Sequence, residues 1–205
     1  MKRLIAVLVV SCLVAGMIQA GVVIDDILHV KLSTPSRLPN SAQWTSEGSF
    51  IIADDVTTMG VAGQYSPMQD FSINLSLALF DPDNGSVDEG YTIQGGAGYK
   101  FYSNGFDLIG RGGLALPFHD DIDMWMLHGD VLGRISINAV PGLMPYASIG
   151  LAFYDYDIDK GASDDGIEPT IGIGAEYSFA NQFTCRAGVE YLDTTAFSLG
   201  FGIVF

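Results

Sequence analysis

The sequence predicts an all-β chain, a closed antiparallel β-barrel that spans a membrane, with ten strands favoured and eight as the alternative. Three observations predict it. First, residues 196–205 alternate strictly, with Phe197, Leu199, Phe201, Ile203 and Phe205 on one face and Ser198, Gly200 and Gly202 between them; Val204 is the exception. Such alternation gives a strand one apolar and one small face, and a greasy edge strand recruits other chains unless both of its edges are paired. Second, when each strand is phased on its apolar residues alone, Lys100, Asp107, Arg111, Asp130, Arg134, Glu176, Arg186 and Glu190 all fall on the opposite face. Chance would place eight charges so roughly once in 256. Third, no stretch after residue 20 could cross a bilayer as a helix, and a closed barrel is the remaining way to satisfy a backbone in lipid.

A chain of 205 residues suits one domain. Its 24 Asp+Glu against 9 Lys+Arg make nucleic acid a poor partner, because phosphates demand basic surface. Charged residues are only 16 % of the total, as expected when much of the surface meets lipid. Residues 1–20 read as a cleaved secretory leader: Lys2-Arg3 form the basic start, Leu4 to Ile18 the apolar centre, and Gln19-Ala20 precede Gly21. Its apolar run falls short of the ~20 residues of a spanning helix. Loss of Lys2 and Arg3 would make the net charge of −15 two units more negative. Loss of Cys12 would leave Cys185 alone, with no internal disulfide to form. Residues 21–40, with Pro35 and Pro39, read as a periplasmic lead-in, and residues 41–205 as the barrel.

Each strand is justified in turn. Residues 43–53 place Trp44, Phe50 and Ile52 on one face before Asp54-Asp55 break the pattern. Met59, Val61, Gly63 and Tyr65 share the next face, followed by a turn over 66–69. Phe71, Ile73, Leu75, Leu77 and Leu79 then oppose Ser72, Asn74, Ser76 and Ala78, and residues 81–89 form an acidic loop. Tyr91, Ile93, Gly95, Ala97, Tyr99 and Phe101 lead to Ser103-Asn104-Gly105, where Asn-Gly suits the positive φ of a type I′ turn. Phe106, Leu108, Leu114 and Leu116 face outward before a second acidic loop over 119–123. Trp125, Leu127, Val131, Ile135 and Ile137 oppose Met126, His128, Asp130, Leu132 and Arg134, and residues 141–145 turn the chain. Ala147, Ile149, Leu151 and Phe153 lead to the longest acidic loop, 155–168. Ile171, Ile173, Ala175, Tyr177 and Phe179, then Phe183, Cys185, Ala187, Val189 and Tyr191, form the last pair before the closing strand.

Short turns alternate with longer loops, the pattern of periplasmic turns and external loops. Aromatic pairs (Tyr65/Phe71, Phe101/Phe106, Phe179/Phe183) flank the short turns, and Tyr91, Trp125 and Tyr191 mark the other interface. Nine strands follow Met59, and a barrel with both ends on one side needs an even number, hence the tenth at 43–53.

The stretches Gly-Ala-Glu-Tyr-Ser-Phe (174–179) and Arg-Ala-Gly-Val-Glu-Tyr (186–191), with the terminal Phe205, resemble the small outer-membrane β-barrel proteins of Gram-negative bacteria, the OmpA-type and porin-like barrel domains. The resemblance covers about residues 41–205 and implies a cell outer-membrane location. It also implies that Phe197, Leu199, Phe201, Ile203 and Phe205 serve as the signal read by the barrel-assembly machinery. A peptidoglycan-binding domain like that of full OmpA proteins is not expected after the barrel.

The expected function is a structural envelope protein or a narrow pore, with a largely occluded lumen filled by Lys100, Asp107, Arg111, His128, Asp130, Arg134, Glu176, Arg186 and Glu190, four bases balancing four acids. An adhesin acting through loops 81–89, 119–123 and 157–168 is the alternative. A rim hydrolase using His128 and Asp130 is a third reading, but no nucleophile accompanies them, so no catalytic residue and no enzyme is expected. Asp155-x-Asp157-x-Asp159 begins like a calcium loop yet lacks its sixth-position Gly and twelfth-position Glu, and Asp81-Pro-Asp83-Asn-Gly85 is similarly partial. These loops read as solvated, with no cofactor. Lipid and lipopolysaccharide are the expected partners, with Ca²⁺ or Mg²⁺ bridging to the loops.

Overall fold

The computed structural model describes residues 43–53, 56–82, 89–119, 122–158, 163–179, 182–192 and 194–205. The leader at 1–20 and the lead-in at 21–40 lie outside the described residues. Ten strands form: β1 (Gln43–Ile52), β2 (Val56–Met68), β3 (Phe71–Pro82), β4 (Gly90–Ser103), β5 (Phe106–His119), β6 (Ile122–Ile135), β7 (Leu143–Ile158), β8 (Ser163–Phe179), β9 (Phe183–Leu192) and β10 (Thr194–Val204). Each pairs antiparallel with its chain neighbours, and β10 closes on β1 with Phe201 opposite Gly48 and Phe197 opposite Ile52. The expectation of a closed ten-strand barrel therefore holds, and the closing partner is the segment around Trp44. Following the register once around the barrel returns to β1 about twelve residues further along, a stagger that tilts the strands by roughly 40°.

Alternation decides which side chains meet lipid. Val61, Leu75, Leu79, Ile149, Ile173 and Phe201 are all exposed on the outer face, as their phasing predicts. Two aromatic girdles bound this apolar band. At the mouth that holds Gln43 and Phe205, here the terminal mouth, Trp44 stacks on Tyr65 at 4.6 Å, Tyr102 meets Phe106 at 5.0 Å and Phe179 stacks on Phe183 at 5.6 Å. At the opposite, far mouth, Tyr91 stacks on Phe118 at 4.9 Å beside exposed Trp125 and Tyr191. Trp44 meets Tyr65 because the two stand directly across the β1–β2 ladder, and a register shift after Lys100 carries Tyr102 towards the turn and Phe106.

The connections differ from the sequence reading. The hairpin at Asn104-Gly105 is not a type I′ turn: only Gly105 has positive φ, 79°, and three residues separate Ser103 from its partner Asp107. Between β2 and β3 the strand runs on to Met68 through a register shift, and Asp70 itself takes the left-handed conformation, φ 68°. An aspartate tolerates that region better than most side chains. Pro145, read as part of a turn, lies inside β7 opposite Ala175. The acidic loops contract, because much of each is strand: Asp81 belongs to β3, His119 to β5, and Asp155–Asp157 and Asp165–Glu168 to β7 and β8. Above the membrane an outward polar side chain meets water, so strand pairing continues without an apolar face.

Candidate functional site

The lumen is the one enclosed space to which every strand contributes, and its contents are layered along the axis. Nearest the far mouth, Val56, Phe80, Ala115, Met124, Met126, Ala152 and Leu192 form a buried apolar cluster, with Tyr154 and Tyr156 packed against it. Ile51, Ala53, Ala78 and Ala196 form a second cluster. Below lie His128, whose Nε2 is 2.9 Å from Gln94 Nε2, and then the ion pairs. Arg111 holds Asp130 with both Nε and a terminal nitrogen at 2.7 Å. Arg186 pairs with Glu47, and both are about 95 % buried, each 5 % exposed. On the facing wall Ile109 and Leu132 pack with Tyr146. At the terminal mouth Arg134 holds Asp107 at 2.8–2.9 Å, Ser103 donates to Asp107 at 2.6 Å, and Lys100 pairs with Asp70 at 2.7 Å.

Local sequence explains these positions. Arg111 and Asp130 stand directly opposite each other in the ladder, as do Asp107 and Arg134, so the pairs follow from register. A one-residue slip of either strand would turn its acid and its arginine towards lipid, where Arg costs ~2–4 kcal/mol near the midplane. The Arg186–Glu47 pair is different: it reaches across β10, linking β9 to β1 over the closing seam. Gly200 allows it, since a Cβ there would stand 2.5 Å from Glu47 Oε1 and 3.4 Å from Arg186. Gly174 and Gly188 likewise leave room for the Tyr146 hydroxyl.

Of the residues expected in the lumen, Arg111 pairs with Asp130 and Arg134 with Asp107, while Arg186 pairs with Glu47 and has Glu176 across the ladder. The expected balance of four bases and four acids is overturned. Arg186 takes Glu47 and Lys100 takes Asp70, so two further acids join Glu176 and Glu190. Glu176, 2 % exposed, sits across the ladder from Arg186, and Glu190 lines a small cavity with Arg111, Tyr146, Ser148, Arg186 and Ser198. That cavity, about 20 Å³, holds roughly one water. Glu47 was legible from parity, since it opposes the Trp44–Phe50–Ile52 face. The apolar clusters were half legible: the alternation sets Met126 and Leu132 inward, and Phe80 shares the inward parity of Ser76 and Ala78, although it has no face in the sequence reading.

His128 and Asp130 do not reach a rim. They are 4 % and 7 % exposed and lie beneath the Phe80–Met126 cluster, and Asp130 is held by Arg111. Among the described residues no group of three His, Cys, Asp or Glu side chains could hold a metal ion. Asp155 and Asp157 are exposed strand residues, whereas Asp159 and residues 83–85 lie outside the described residues.

Residues 58–205 match the family described as outer membrane protein beta-barrel domain. The chain belongs to that family. No curated protein matches its sequence. Among solved structures, an outer membrane channel from Pseudomonas putida F1 is similar with a TM-score of 0.54 at 10 % identity, covering 85 % of this chain and 100 % of that one. The beta domain of the Bordetella autotransporter BrkA gives a TM-score of 0.51 at 11 % identity, covering 82 % and 100 %. The N-terminal beta-barrel domain of Pseudomonas aeruginosa OprF gives 0.43 at 18 % identity, covering 82 % and 100 %. At these identities the likeness is one of fold. As an outer-membrane β-barrel protein, the chain places its girdled apolar band in that membrane.

Proposed function

We propose that this protein is a structural barrel of the outer membrane whose lumen is closed to ions. The observation that carries the reading is the apolar cluster across the far mouth, where Phe80, Met126 and Leu192 are buried to 1 % exposure. An ion crossing it would shed its water against carbon, which costs far more than threading a polar channel. A ten-strand barrel is also narrow, since aqueous channels are found at ~16 strands. The same cluster closes off His128 and Asp130 from any dissolved substrate, which supports a non-enzymatic role. In planar bilayers the folded protein is expected to insert without unitary current steps; resolved steps from heat-modifiable, folded protein would sink the occlusion reading.

The closing strand serves, in the same proposal, as the signal for the assembly machinery. Phe205 is 72 % exposed, and its backbone N–H donates to the Trp44 carbonyl at 2.9 Å. Deleting it removes one hydrogen bond at the seam, worth about 1 kcal/mol, and removes the terminal aromatic. Refolding yield in detergent should then fall little while outer-membrane levels fall severalfold; wild-type levels in the membrane fraction would remove the signal role. Outer-membrane lipid, and lipopolysaccharide bridged by divalent cations to exposed acids such as Asp155 and Asp157, are the partners this placement favours.

A further inference from the structure

Strand β8 does not stop where its neighbour β9 does, whereas β7 is paired with β6 as far as Ile158 opposite Ile122. β8 pairs with β9 only from Thr170, opposite Leu192, whereas its ladder with β7 continues to Ser163 opposite Asp157. Residues 163–169 therefore have a strand neighbour on the β7 side and, among the described residues, none on the other. The far rim climbs around the barrel and then drops at this point by roughly 20 Å of strand, at about 3.3 Å per residue. A strand edge of that length is a template for another strand.

The chemistry of the step selects what can pair there. Asp165 stands across from Asp155, and Asp157 from Asp123, and all four are exposed on the outward face. Pro169 sits at the foot of the step and Glu168 beside it. Acidic side chains and a proline are the usual guards against like-with-like pairing, and a second copy would bring the same acids and be repelled. On the inward face Tyr154 and Tyr156 stack at 6.2 Å, and a Cβ on Gly166 would lie 2.5 Å from the Tyr154 hydroxyl. Apolar side chains of an added strand could rest on that pair of rings above Leu192.

We propose that residues 163–169 are a docking edge for an extended, lysine- or arginine-rich segment of a partner protein. The segment adds as a strand beside β8 and sets its basic side chains against Asp165, with Asp155 and Asp157 of β7, one strand further, deepening the negative field. Backbone pairing supplies the affinity, and charge selects the partner. This role is independent of whether the lumen conducts.

The test uses the full chain folded in nanodiscs and titrated calorimetrically with a synthetic nonapeptide of alternating Lys and Thr. Two controls accompany it: the same peptide N-methylated at alternate amides, and its Glu/Thr counterpart. Saturable binding of the basic peptide is expected, weakened about tenfold or more by N-methylation, which removes backbone donors at ~1 kcal/mol each without changing charge. Ile167→Pro, and separately Asp155→Asn with Asp165→Asn, should weaken it comparably, with heat-modifiable migration confirming that each variant is folded. Equal binding of the N-methylated peptide would reduce the contact to general charge attraction and overturn the proposal, as would equal binding of the acidic peptide or no binding at millimolar concentration. A wild-type dimer that Ile167→Pro dissociates would assign the edge to a second copy instead, again overturning it.

Discussion

Replacing Arg186 by Ala should lower the unfolding free energy of the barrel by about 3–5 kcal/mol, among the largest losses expected from any single substitution in the chain. The guanidinium is buried and paired to Glu47, with Glu176 across the ladder and Glu190 lining the adjoining cavity. Truncation leaves Glu47 and Glu176, both at most 5 % exposed, without the cation that offsets their desolvation. Urea unfolding in detergent, followed by the fluorescence of the lipid-facing Trp44 and Trp125, reads the loss directly. The double variant Arg186→Met with Glu47→Gln removes both charges and should recover a large part of it, because a buried pair contributes less by its presence than by the harm of breaking it. If Arg186→Ala unfolds at the wild-type urea midpoint, the seam is not held at this pair.

Phe80→Ala should cost about 3–5 kcal/mol for a different reason, the void left where an aromatic ring is withdrawn from a packed cluster. The ring is 1 % exposed and packs in the far-mouth cluster with Val56, Met124, Met126 and Leu192. Phe80→Leu keeps most of the apolar volume and should cost under about 1.5 kcal/mol. The same unfolding measurement separates the two. A near-neutral Phe80→Ala would mean that the far mouth is filled by water rather than by side chains, and would remove the structural ground for a closed lumen.

These two residues differ in how far the sequence revealed them. Arg186 was placed inward by its spacing from Phe183, Cys185 and Val189, because a strand offers only two faces. Its partner was not named, since Glu47 is 139 residues away and meets it only after β10 has closed on β1. The lumen pairs Arg111–Asp130 and Asp107–Arg134 were nearer to hand, as both join adjacent strands, but their pairing needed the register of β5 against β6. Phe80 shares the inward parity of Ser72, Asn74, Ser76 and Ala78, but it directly follows Leu79 of the lipid-facing row, and only the closed barrel shows the apolar cluster it joins. The acidic segment 155–168 misled in the opposite sense: composition read it as loop, while in water a strand pair tolerates outward acids on both arms.

The sequence by itself determined that the chain is a transmembrane β-barrel with ten strands favoured, which face of each strand meets lipid, and that charge stays off that face. The physical reason is that lipid imposes a rule at every second residue, so the pattern is local and repeats along the chain. Only the tertiary structure decided which charges pair in the lumen, that acids outnumber bases there among the described residues, that an apolar cluster gathers near the far mouth, and that β8 runs past β9. Those properties depend on register and on closure, which bring together residues from strands that are distant in the chain and that no period along it relates.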